Sequence, residues 1–230
     1  MMMRFSHTSA AIALLAMLAL GTGVETRAQG ATTLAPIKLP APRAMSEVSV
    51  EHALKARRSL RSFAATPLTL AEVSQLLWAA QGVTDERGRR TAPSAGALYP
   101  LELYLVAGNV NALPSGVYRY RPPEHDLLLV AAGDRRAEVA SACRQGWVGD
   151  APALVVFTAV HARTAKKYGD RSVRYVPIEV GAAAENLALQ AVALGLGTTV
   201  VGAYDDATLA VTLGSTADEQ PLALLPVGRK

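Results

Sequence analysis

Residues 153–160 read Ala-Leu-Val-Val-Phe-Thr-Ala-Val, an uninterrupted run of apolar and β-branched side chains without a charge. A run of this composition predicts a strand that is buried on both faces, as in the middle of a sheet. Before it in the chain, leucines alternate along residues 101–107, and the segments 117–120 and 127–130 flank a turn-rich stretch. The pattern therefore predicts a central strand with a neighbouring strand and a hairpin.

Helical signals surround these strands. Thr69 and Glu72 have the spacing of a capping box, and Gly82 ends the apolar period that follows. From Ile178 to Gly195, apolar residues recur at helical spacing. The remaining predicted elements are a helix from Val50 that runs into Arg57, a short helix capped by Asp134 and reaching Gln145, a helical segment ending near Gly169, a strand over 198–204, a helix capped by Asp205 and a last strand over 222–227. Because helices and strands are interleaved without strict alternation, the sequence predicts an α+β fold, one sheet covered by helices.

The N-terminal sequence predicts export. A basic residue precedes the apolar run 10–20, which is too short to span a bilayer, and small residues flank a cleavage position after Ala28. We therefore interpret residues 1–28 as a signal peptide, residues 29–48 as a proline-containing linker and residues 49–230 as one globular domain. The expected product is periplasmic or extracellular, with no stable membrane insertion after cleavage. An uncleaved membrane anchor is the alternative.

Composition limits the classes of partner. A net charge of +4 favours anionic ligands in general. The single cysteine, Cys143, cannot form an internal disulfide, and the four scattered histidines predict no metal site. Basic residues do not cluster with stacking aromatics, so nucleic acid is not expected as a partner. A Rossmann site is also not expected, because the Gly-Leu-Gly of residues 195–197 follows a helix and precedes a strand.

The first candidate site is the run Arg57, Arg58, Ser59 and Arg61, at the end of the domain's first predicted helix. Guanidinium groups and a hydroxyl within five positions can bind a phosphate monoester from several directions. A solvated basic face is the alternative interpretation.

Two further segments are rich in small residues. Residues 93–100, Pro-Ser-Ala-Gly-Ala-Leu-Tyr-Pro, form a loop whose backbone can approach a flat ring closely. Residues 195–205 place small side chains at the end of a predicted strand and leave space there. A tight connection between elements and ordinary close packing are the alternatives for these two segments.

The three segments, in this order, resemble the nitroreductase-like superfamily of FMN-dependent oxidoreductases, over nearly the whole mature chain. Within it, residues 93–100 and the Lys-Tyr-Gly-Asp-Arg of residues 167–171 are most similar to azoline-oxidising dehydrogenases of the SagB/ThcOx type. The resemblance implies a nitroreductase-like fold with a central, mostly antiparallel sheet flanked by helices. It also implies a homodimer with bound FMN.

The resemblance assigns roles to individual residues. Arg57, Arg58, Ser59 and Arg61 would contact the FMN phosphate and ribityl chain, and Arg229 would reach the phosphate from the C-terminus. Pro93, Ser94, Ala95 and Gly96 would lie along the isoalloxazine, in relatives from the partner subunit, and Val200, Val201, Gly202 and Ala203 would run beside the ring. Gly202 stands where many relatives have Glu, which leaves hydrogen bonding near flavin N5 to backbone N–H groups.

Lys167 and Tyr168 match the pair thought to act as base and proton shuttle in azoline oxidases. Neighbouring helical residues point about 100° apart, so the two can cooperate only at a helix end or in a loop, and Gly169 supplies such an end. A solvated Lys beside a partly packed Tyr is the alternative. Gly181-Ala182 stands where many azoline oxidases carry Gly-His.

The function implied is an FMN-dependent oxidoreductase that transfers hydride between a donor and a small organic or peptide-derived acceptor. NAD(P)H is a candidate donor, although export would separate the protein from cytoplasmic nicotinamides. The alternative is an exported flavin-binding carrier, sensor or partner subunit without turnover.

Overall fold

The computed structural model describes residues 35–230. Their centre is a seven-stranded sheet in the order β1-β4-β3-β2-β5-β7-β6, in which every neighbouring pair is antiparallel. The strands are β1 Ile37–Lys38, β2 Leu101–Ala107, β3 Gly116–Arg121, β4 Asp126–Ala132, β5 Ala153–Ala159, β6 Gly197–Thr198 and β7 Gln220–Gly228. The predicted α+β class with an antiparallel sheet is confirmed.

Six α-helices flank the sheet. They are α1 Val50–Ala56, α2 Leu70–Gln81, α3 Arg136–Cys143, α4 His161–Tyr168, α5 Ser172–Ala193 and α6 Asp206–Leu213. Short 3₁₀ turns occur at Ala95–Ala97, Gly146–Asp150 and Gly169–Arg171. The Thr69–Glu72 capping box forms at the start of α2 as predicted, with the Glu72 N–H 3.2 Å from Thr69 Oγ1.

The run 153–160 forms the strand that the sequence predicts. All seven residues of β5 are buried, between β2 and β7. Its side chains alternate between two cores: Val155 and Phe157 pack on the side of α2 and α5, whereas Leu154 and Val156 pack on the side of α3 and α6. The sheet is therefore covered on both faces, which explains why the run contains no polar alternation.

Several predicted boundaries differ from the structure, two of them by six residues. Helix α5 begins at Ser172 rather than Ile178 and contains Pro177. Proline lacks the N–H that would bond to the Val173 carbonyl, and Val173 lies on the exposed side of the helix, where water can take that bond. The strand predicted over 198–204 ends at Thr198, with only an isolated bridge between Val201 and Leu224 beyond it.

Part of the predicted linker 29–48 belongs to the domain, which corrects that prediction from residue 37 onward. Strand β1 pairs with β4, and Leu39 is buried. The Ser74 hydroxyl donates to the Pro40 carbonyl at 2.6 Å, and the Gln75 side chain bonds to the Arg43 backbone at 2.8 and 3.0 Å. These are long-range contacts that no local sequence signal specifies. The predicted signal peptide 1–28 lies outside the described residues, and within those residues no helix has the length and apolarity needed to cross a membrane.

Candidate functional site

The chain after α1 is held against strand β6. Helix α1 ends at Ala56, and its C-cap residue Arg57, with ψ of 122°, turns the backbone into an extended path. Ser59 then forms a parallel bridge with Thr198, and the Leu60 N–H donates to the Thr198 carbonyl at 3.1 Å. This pairing fixes Arg57, Arg58 and Ser59 beside the Gly-Leu-Gly segment, so two of the segments identified from sequence come together.

Gly197 allows this close approach. A Cβ atom at Gly197 would lie 2.5 Å from Leu60 Cδ2, a distance that real Cβ atoms do not adopt. Its partner across the ladder, Gly228, is similarly crowded, because a Cβ there would lie 2.9 Å from Phe63 Cδ1. The paired glycines thus form a groove that receives the chain of residues 60–63.

A pocket of about 500 Å³ opens where these segments meet. Arg58, Ser59 and Lys230 line it, together with Arg229 and the backbone of residues 195–197. We call Arg57, Arg58, Ser59 and Lys230 the basic cluster. Lys230 was not predicted, since a C-terminal lysine carries no sequence signal of its own.

The arginines of this region already have partners. The Arg58 Nη1 donates to the carbonyls of Lys55 and Arg57 at 3.0 and 2.7 Å, and Arg57 Nε lies 3.5 Å from Glu185 Oε1 on α5. Arg61 is exposed.

Arg229 lines this pocket and also has two partners within the chain. Its guanidinium donates to the Pro67 carbonyl at 3.0 Å and forms an ion pair with Glu72. Arg229 thereby connects the C-terminus to the start of α2.

A second group of residues surrounds the loop 93–100. The Ser94 Oγ accepts from the Tyr99 N–H at 2.9 Å, and the Ser94 carbonyl accepts from the Ala97 N–H at 3.0 Å. Gly96 adopts φ of 64° and Ala97 of 52°, so the chain makes a tight left-handed turn. Two hydrogen bonds and the turn give the loop a defined shape.

Lys167 and Tyr168 converge on this turn. A Cβ at Gly96 would lie 2.9 Å from Tyr168 Oη and 3.2 Å from Lys167 Nζ. Tyr168 is the last residue of α4, and Gly169 follows it with φ of 55°. The helix end anticipated from sequence therefore brings both side chains to one place, where only a glycine leaves room for them.

Glu179, on α5, lies beside the same loop and was not predicted from the sequence. It is 4% exposed, and no donor reaches its Oε1. Burial raises the pKa of Glu179 to about 7, while the Ser94 hydroxyl, the Ala95 N–H and Arg90 act in the opposite direction. Its position on the buried stripe of α5, between Val176 and Val180, is the signal that could have identified it. We call Ser94, Ala95, Gly96, Lys167, Tyr168 and Glu179 the loop cluster.

Charged groups fix the far end of the loop. The Arg163 Nη1 donates to the Tyr99 carbonyl at 3.1 Å and pairs with Glu102 on β2. Glu102 also pairs with Arg119 at 3.2 Å, and Arg119 with the fully buried carboxylate of Glu219 at 3.0 Å. This chain of ion pairs ties the loop to the sheet, and none of it was predicted.

The segment Val200–Ala203 has one residue that is paired with the sheet and three residues that are exposed. Val201 exchanges backbone hydrogen bonds with Leu224 at 2.8 and 3.0 Å and is buried. Gly202 and Ala203 are exposed, as is Val200, and a Cβ at Gly202 would meet nothing within 4 Å. The backbone here is accessible, as the prediction of a ring-side segment requires.

Helix α5 connects the two clusters. Glu179 belongs to the loop cluster, and Glu185, six residues later, pairs with Arg57 of the basic cluster. At 1.5 Å per residue these positions are about 9 Å apart along the helix axis. Members of both clusters thus lie on helix α5 or contact it, and the pocket of the basic cluster contains none of the loop cluster.

The chain is similar to known proteins in sequence. A sequence profile of the nitroreductase family matches residues 54–229. A nitroreductase-family protein of Methanocaldococcus jannaschii is 44% identical over 187 residues, covering 81% of this chain and 93% of the relative. The microcin B17-processing protein McbC of Escherichia coli is 31% identical over 149 residues, covering 60% of this chain and 53% of McbC.

Two solved structures share the fold. A nitroreductase-family protein of Ralstonia eutropha superposes with a TM-score of 0.75 at 34% identity, covering 86% of this chain and 90% of the other. A chain of the Escherichia coli microcin synthetase McbBCD complex with truncated pro-MccB17 bound gives a TM-score of 0.67 at 26% identity, covering 83% and 76% of the two chains.

Proposed function

Since the chain belongs to the nitroreductase family of flavin-dependent oxidoreductases, we propose that it binds FMN and passes electrons from a donor to a small organic or peptide-derived acceptor. The observation that carries this proposal is the approach of Lys167 and Tyr168 to Gly96, where an added Cβ would lie 3.2 Å from the Lys167 Nζ and 2.9 Å from the Tyr168 Oη. Two groups capable of proton transfer meet at the loop that family resemblance places along the isoalloxazine.

The residues of both clusters fit such a cofactor. Arg58, Ser59 and Lys230 of the basic cluster offer a guanidinium group, a hydroxyl and an ammonium group around a pocket of about 500 Å³, which suits a phosphate monoester. The loop cluster offers small side chains and exposed backbone, which suit a flat ring. Bound FMN would supply the reversible transfer of electron pairs to and from organic substrates.

The chain's own residues would then bind, orient and move protons. Arg57, Arg58 and Ser59 would hold the phosphate, with Arg61 adding positive charge from an exposed position. Pro93, Ser94, Ala95 and Gly96 would set the ring's plane, and Val200, Val201, Gly202 and Ala203 would line its edge with backbone. Lys167 and Tyr168 would accept or deliver the proton that accompanies substrate oxidation or reduction.

Within this proposal, a peptide-derived acceptor is the more specific suggestion for the substrate. The adjacent Lys167 and Tyr168 support it, because removing a proton from a ring carbon requires a base beside the flavin. The similarity to McbC, a microcin-processing protein, points the same way. NAD(P)H is the proposed donor for a reductase role. An exported protein would need another reductant.

We also propose a homodimer, exported under the direction of residues 1–28. The exposed apolar side chains of Val50 and Leu54 on α1 and of Val173 and Ile178 on α5 support a partner surface. Determining the N-terminal residue of the protein purified from the periplasm or medium tests cleavage after Ala28.

The test of FMN binding uses the purified protein. We expect a yellow protein with flavin absorbance, and we expect Arg57→Ala with Arg61→Ala to weaken FMN binding by about tenfold or more, because charge-assisted hydrogen bonds to the phosphate are lost. Arg87→Ala with Arg135→Ala, which removes two exposed arginines elsewhere, is the control for net charge. Unchanged affinity in the first double variant would refute the phosphate assignment.

Anaerobic mixing with nicotinamide and quinol donors then tests turnover. Reduction of the bound flavin followed by reoxidation with a nitroaromatic, quinone or azoline peptide is the expected result. A bound flavin that no donor reduces would favour the carrier or sensor alternative.

A further inference from the structure

Helix α4 meets the loop 93–100 at two points. The Arg163 Nη1 donates to the Tyr99 carbonyl at 3.1 Å, and the Lys167 side chain approaches the turn at Gly96. Arg163 and Lys167 are four residues apart on α4, so they lie on the same face of the helix, about 6 Å apart along its axis. The Arg163 bond therefore fixes α4 to the loop about one helical turn away from Lys167.

Arg163 is held in this position by Glu102 on β2. The Arg163 Nη2 pairs with Glu102 Oε1, while its Nη1 donates to the Tyr99 carbonyl. Two nitrogens of one planar guanidinium group thus have partners on two different segments, which fixes the orientation of the group. The guanidinium group links α4 both to the loop and to the strand that follows the loop.

The ion pair of Arg163 and Glu102 is anchored in the protein interior. Glu102 Oε2 pairs with Arg119 at 3.2 Å, and Arg119 pairs with Glu219 Oε1 at 3.0 Å. The Glu219 carboxylate also accepts from the Thr158 hydroxyl at 2.6 Å. The exposed fraction of the side chain rises from 0% at Glu219 to 15% at Glu102 and 39% at Arg163. A network that begins at a buried carboxylate is screened less by salt than an isolated surface pair, so it can hold Arg163 in one place.

Tyr99 depends on contacts of this kind. Its N–H donates to Ser94 Oγ at 2.9 Å, and the guanidinium carbon of Arg90 lies 4.4 Å from the centre of its ring. Tyr99 has φ of 45°, a left-handed conformation that a residue with a bulky side chain rarely adopts. Surrounding contacts must maintain such a conformation, so the loss of the Arg163 bond should loosen the loop.

We propose that Arg163 and Glu102 are positioning residues for Lys167. Glu102 orients the Arg163 guanidinium group, this group fixes α4 to the Tyr99 carbonyl, and Lys167 on the same face of α4 is thereby placed at Gly96. The role of Lys167 rests on the proposed function, whereas the attachment of α4 to the loop can be measured without flavin. Neither Arg163 nor Glu102 itself transfers a proton.

The variants Arg163→Ala and Glu102→Gln should both fold. In Arg163→Ala, Glu102 remains paired with Arg119. In Glu102→Gln, Arg163 keeps the Tyr99 carbonyl and Arg119 keeps Glu219. Neither substitution leaves a buried charge without a partner, which is the change that would be most destabilising.

Hydrogen exchange of the loop amides, measured without flavin, tests the attachment. The N–H groups of Ala97 and Tyr99 both donate to Ser94, so their protection reports on the shape of the loop. We expect both amides to exchange about tenfold or more faster in Arg163→Ala, because a charge-assisted hydrogen bond is lost. Amides of the central strand β5 should keep their wild-type rates, which shows that the loosening is local.

Glu102→Gln is the second variant and keeps the shape of the side chain without its charge. It should also speed exchange of the loop amides, and the double variant should exchange no faster than Arg163→Ala, because both residues act through one guanidinium group. Arg135→Ala is the matched control. It removes an ion pair with Glu138 at the surface of α3 and should leave the loop amides unchanged.

A double-mutant cycle tests whether Arg163 acts through Lys167. We expect Arg163→Ala to retain FMN and to lose about 10- to 100-fold in kcat for a substrate that requires proton abstraction, with a smaller change in KM. Arg163→Ala combined with Lys167→Ala should be no slower than Lys167→Ala, since a misplaced base has no effect once the base is absent. An ion pair with only a structural role would slow both backgrounds equally.

The two measurements separate the failure of this inference from the failure of the proposed function. A protein that binds no FMN, or that turns over no azoline substrate, refutes the proposed function, and the exchange rates still decide whether Arg163 and Glu102 hold the loop. Unchanged exchange at Ala97 and Tyr99 in Arg163→Ala, or a further loss in kcat on top of Lys167→Ala, overturns the positioning role alone.

Discussion

Glu179 makes the stability of the protein depend on pH in a direction opposite to that of most carboxyl groups. Burial raises its pKa from 4.5 to about 7, so the folded protein binds more protons than the unfolded chain between these values. This contribution to stability is therefore present below pH 4.5 and is lost as pH rises to about 7. At pH 8 the folded state carries an ionised, buried carboxylate.

We predict that Glu179→Gln is more stable than the wild type at pH 8 by up to about 3 kcal/mol, with the difference shrinking toward pH 5. Urea unfolding of both proteins at the two pH values measures it. Comparing the two proteins at each pH cancels the contributions of other groups, such as Asp126, whose pKa is lowered by Arg121. A variant equally destabilised at both pH values would contradict the prediction.

Lys167 can be tested against its neighbour. We predict that Lys167→Ala retains its flavin and loses about 10²- to 10⁴-fold in turnover of substrates that require proton abstraction. Lys166→Ala removes an equally exposed lysine of α4 and should have no effect. Steady-state rates with a nitroaromatic and with an azoline substrate show whether Lys167 acts as a base or contributes to turnover in general. A similar loss of rate with every acceptor would argue against Lys167 as a base.

At the scale of elements, the groove of Gly197 and Gly228 controls where the basic cluster lies. We predict that Gly197→Ala destabilises the protein by about 1–3 kcal/mol and weakens FMN binding, since its Cβ would lie 2.5 Å from Leu60 Cδ2. Leu60→Ala in the same chain should restore much of the binding. Gly146→Ala, where a Cβ meets nothing within 4 Å, is the matched control for both thermal unfolding and FMN titration.

Local signals made some elements predictable. Strand β5 and helix α2 were found because their patterns, an unbroken apolar run and a capping box, are complete within a few residues. Strand β1 was missed, because two residues gain their structure only from pairing with β4. The early start of α5 was missed because Pro177 hides the continuity of the helix.

The positions of the site residues in their elements were predictable from the sequence, whereas their tertiary contacts were not. The positions of Lys167 and Tyr168 at a helix end follow from Gly169, but their contact with Gly96, some seventy residues earlier, is tertiary. The partners of Arg229 could not be predicted, since an arginine near a C-terminus gives no indication of Glu72. Identifying Glu179 requires knowledge of which residues of α5 are buried.

At the scale of the whole molecule, exposed apolar side chains on α1 and α5 bear on the proposed homodimer. Val50 and Leu54 were predicted to lie on an apolar helical face, and they are 65% and 55% exposed, while Val173 and Ile178 are 71% and 64% exposed. Helices α1 and α5 pack together, and both carry exposed apolar side chains. Such exposure of apolar side chains favours burial against a second copy.

We predict that the wild type is a dimer and that Ile178→Asp converts it to a monomer. FMN binding should weaken in the monomer, because in relatives the partner subunit supplies the loop that lies along the isoalloxazine. Val211→Asp introduces the same charge at an 82% exposed valine on α6 and should remain dimeric. Light scattering after size-exclusion chromatography measures the mass. A monomeric wild type, or a dimeric Ile178→Asp protein, would contradict the prediction.

Helix α5 also limits how this chain can diverge in evolution. One added or deleted residue between Glu179 and Glu185 would rotate the rest of the helix by about 100° and shift it by 1.5 Å. Leu187 and Ala191, both inaccessible to solvent, would leave the core, and Glu185 would leave Arg57. Functional descendants should therefore vary here by substitution, whereas length changes accumulate in surface turns such as residues 85–89.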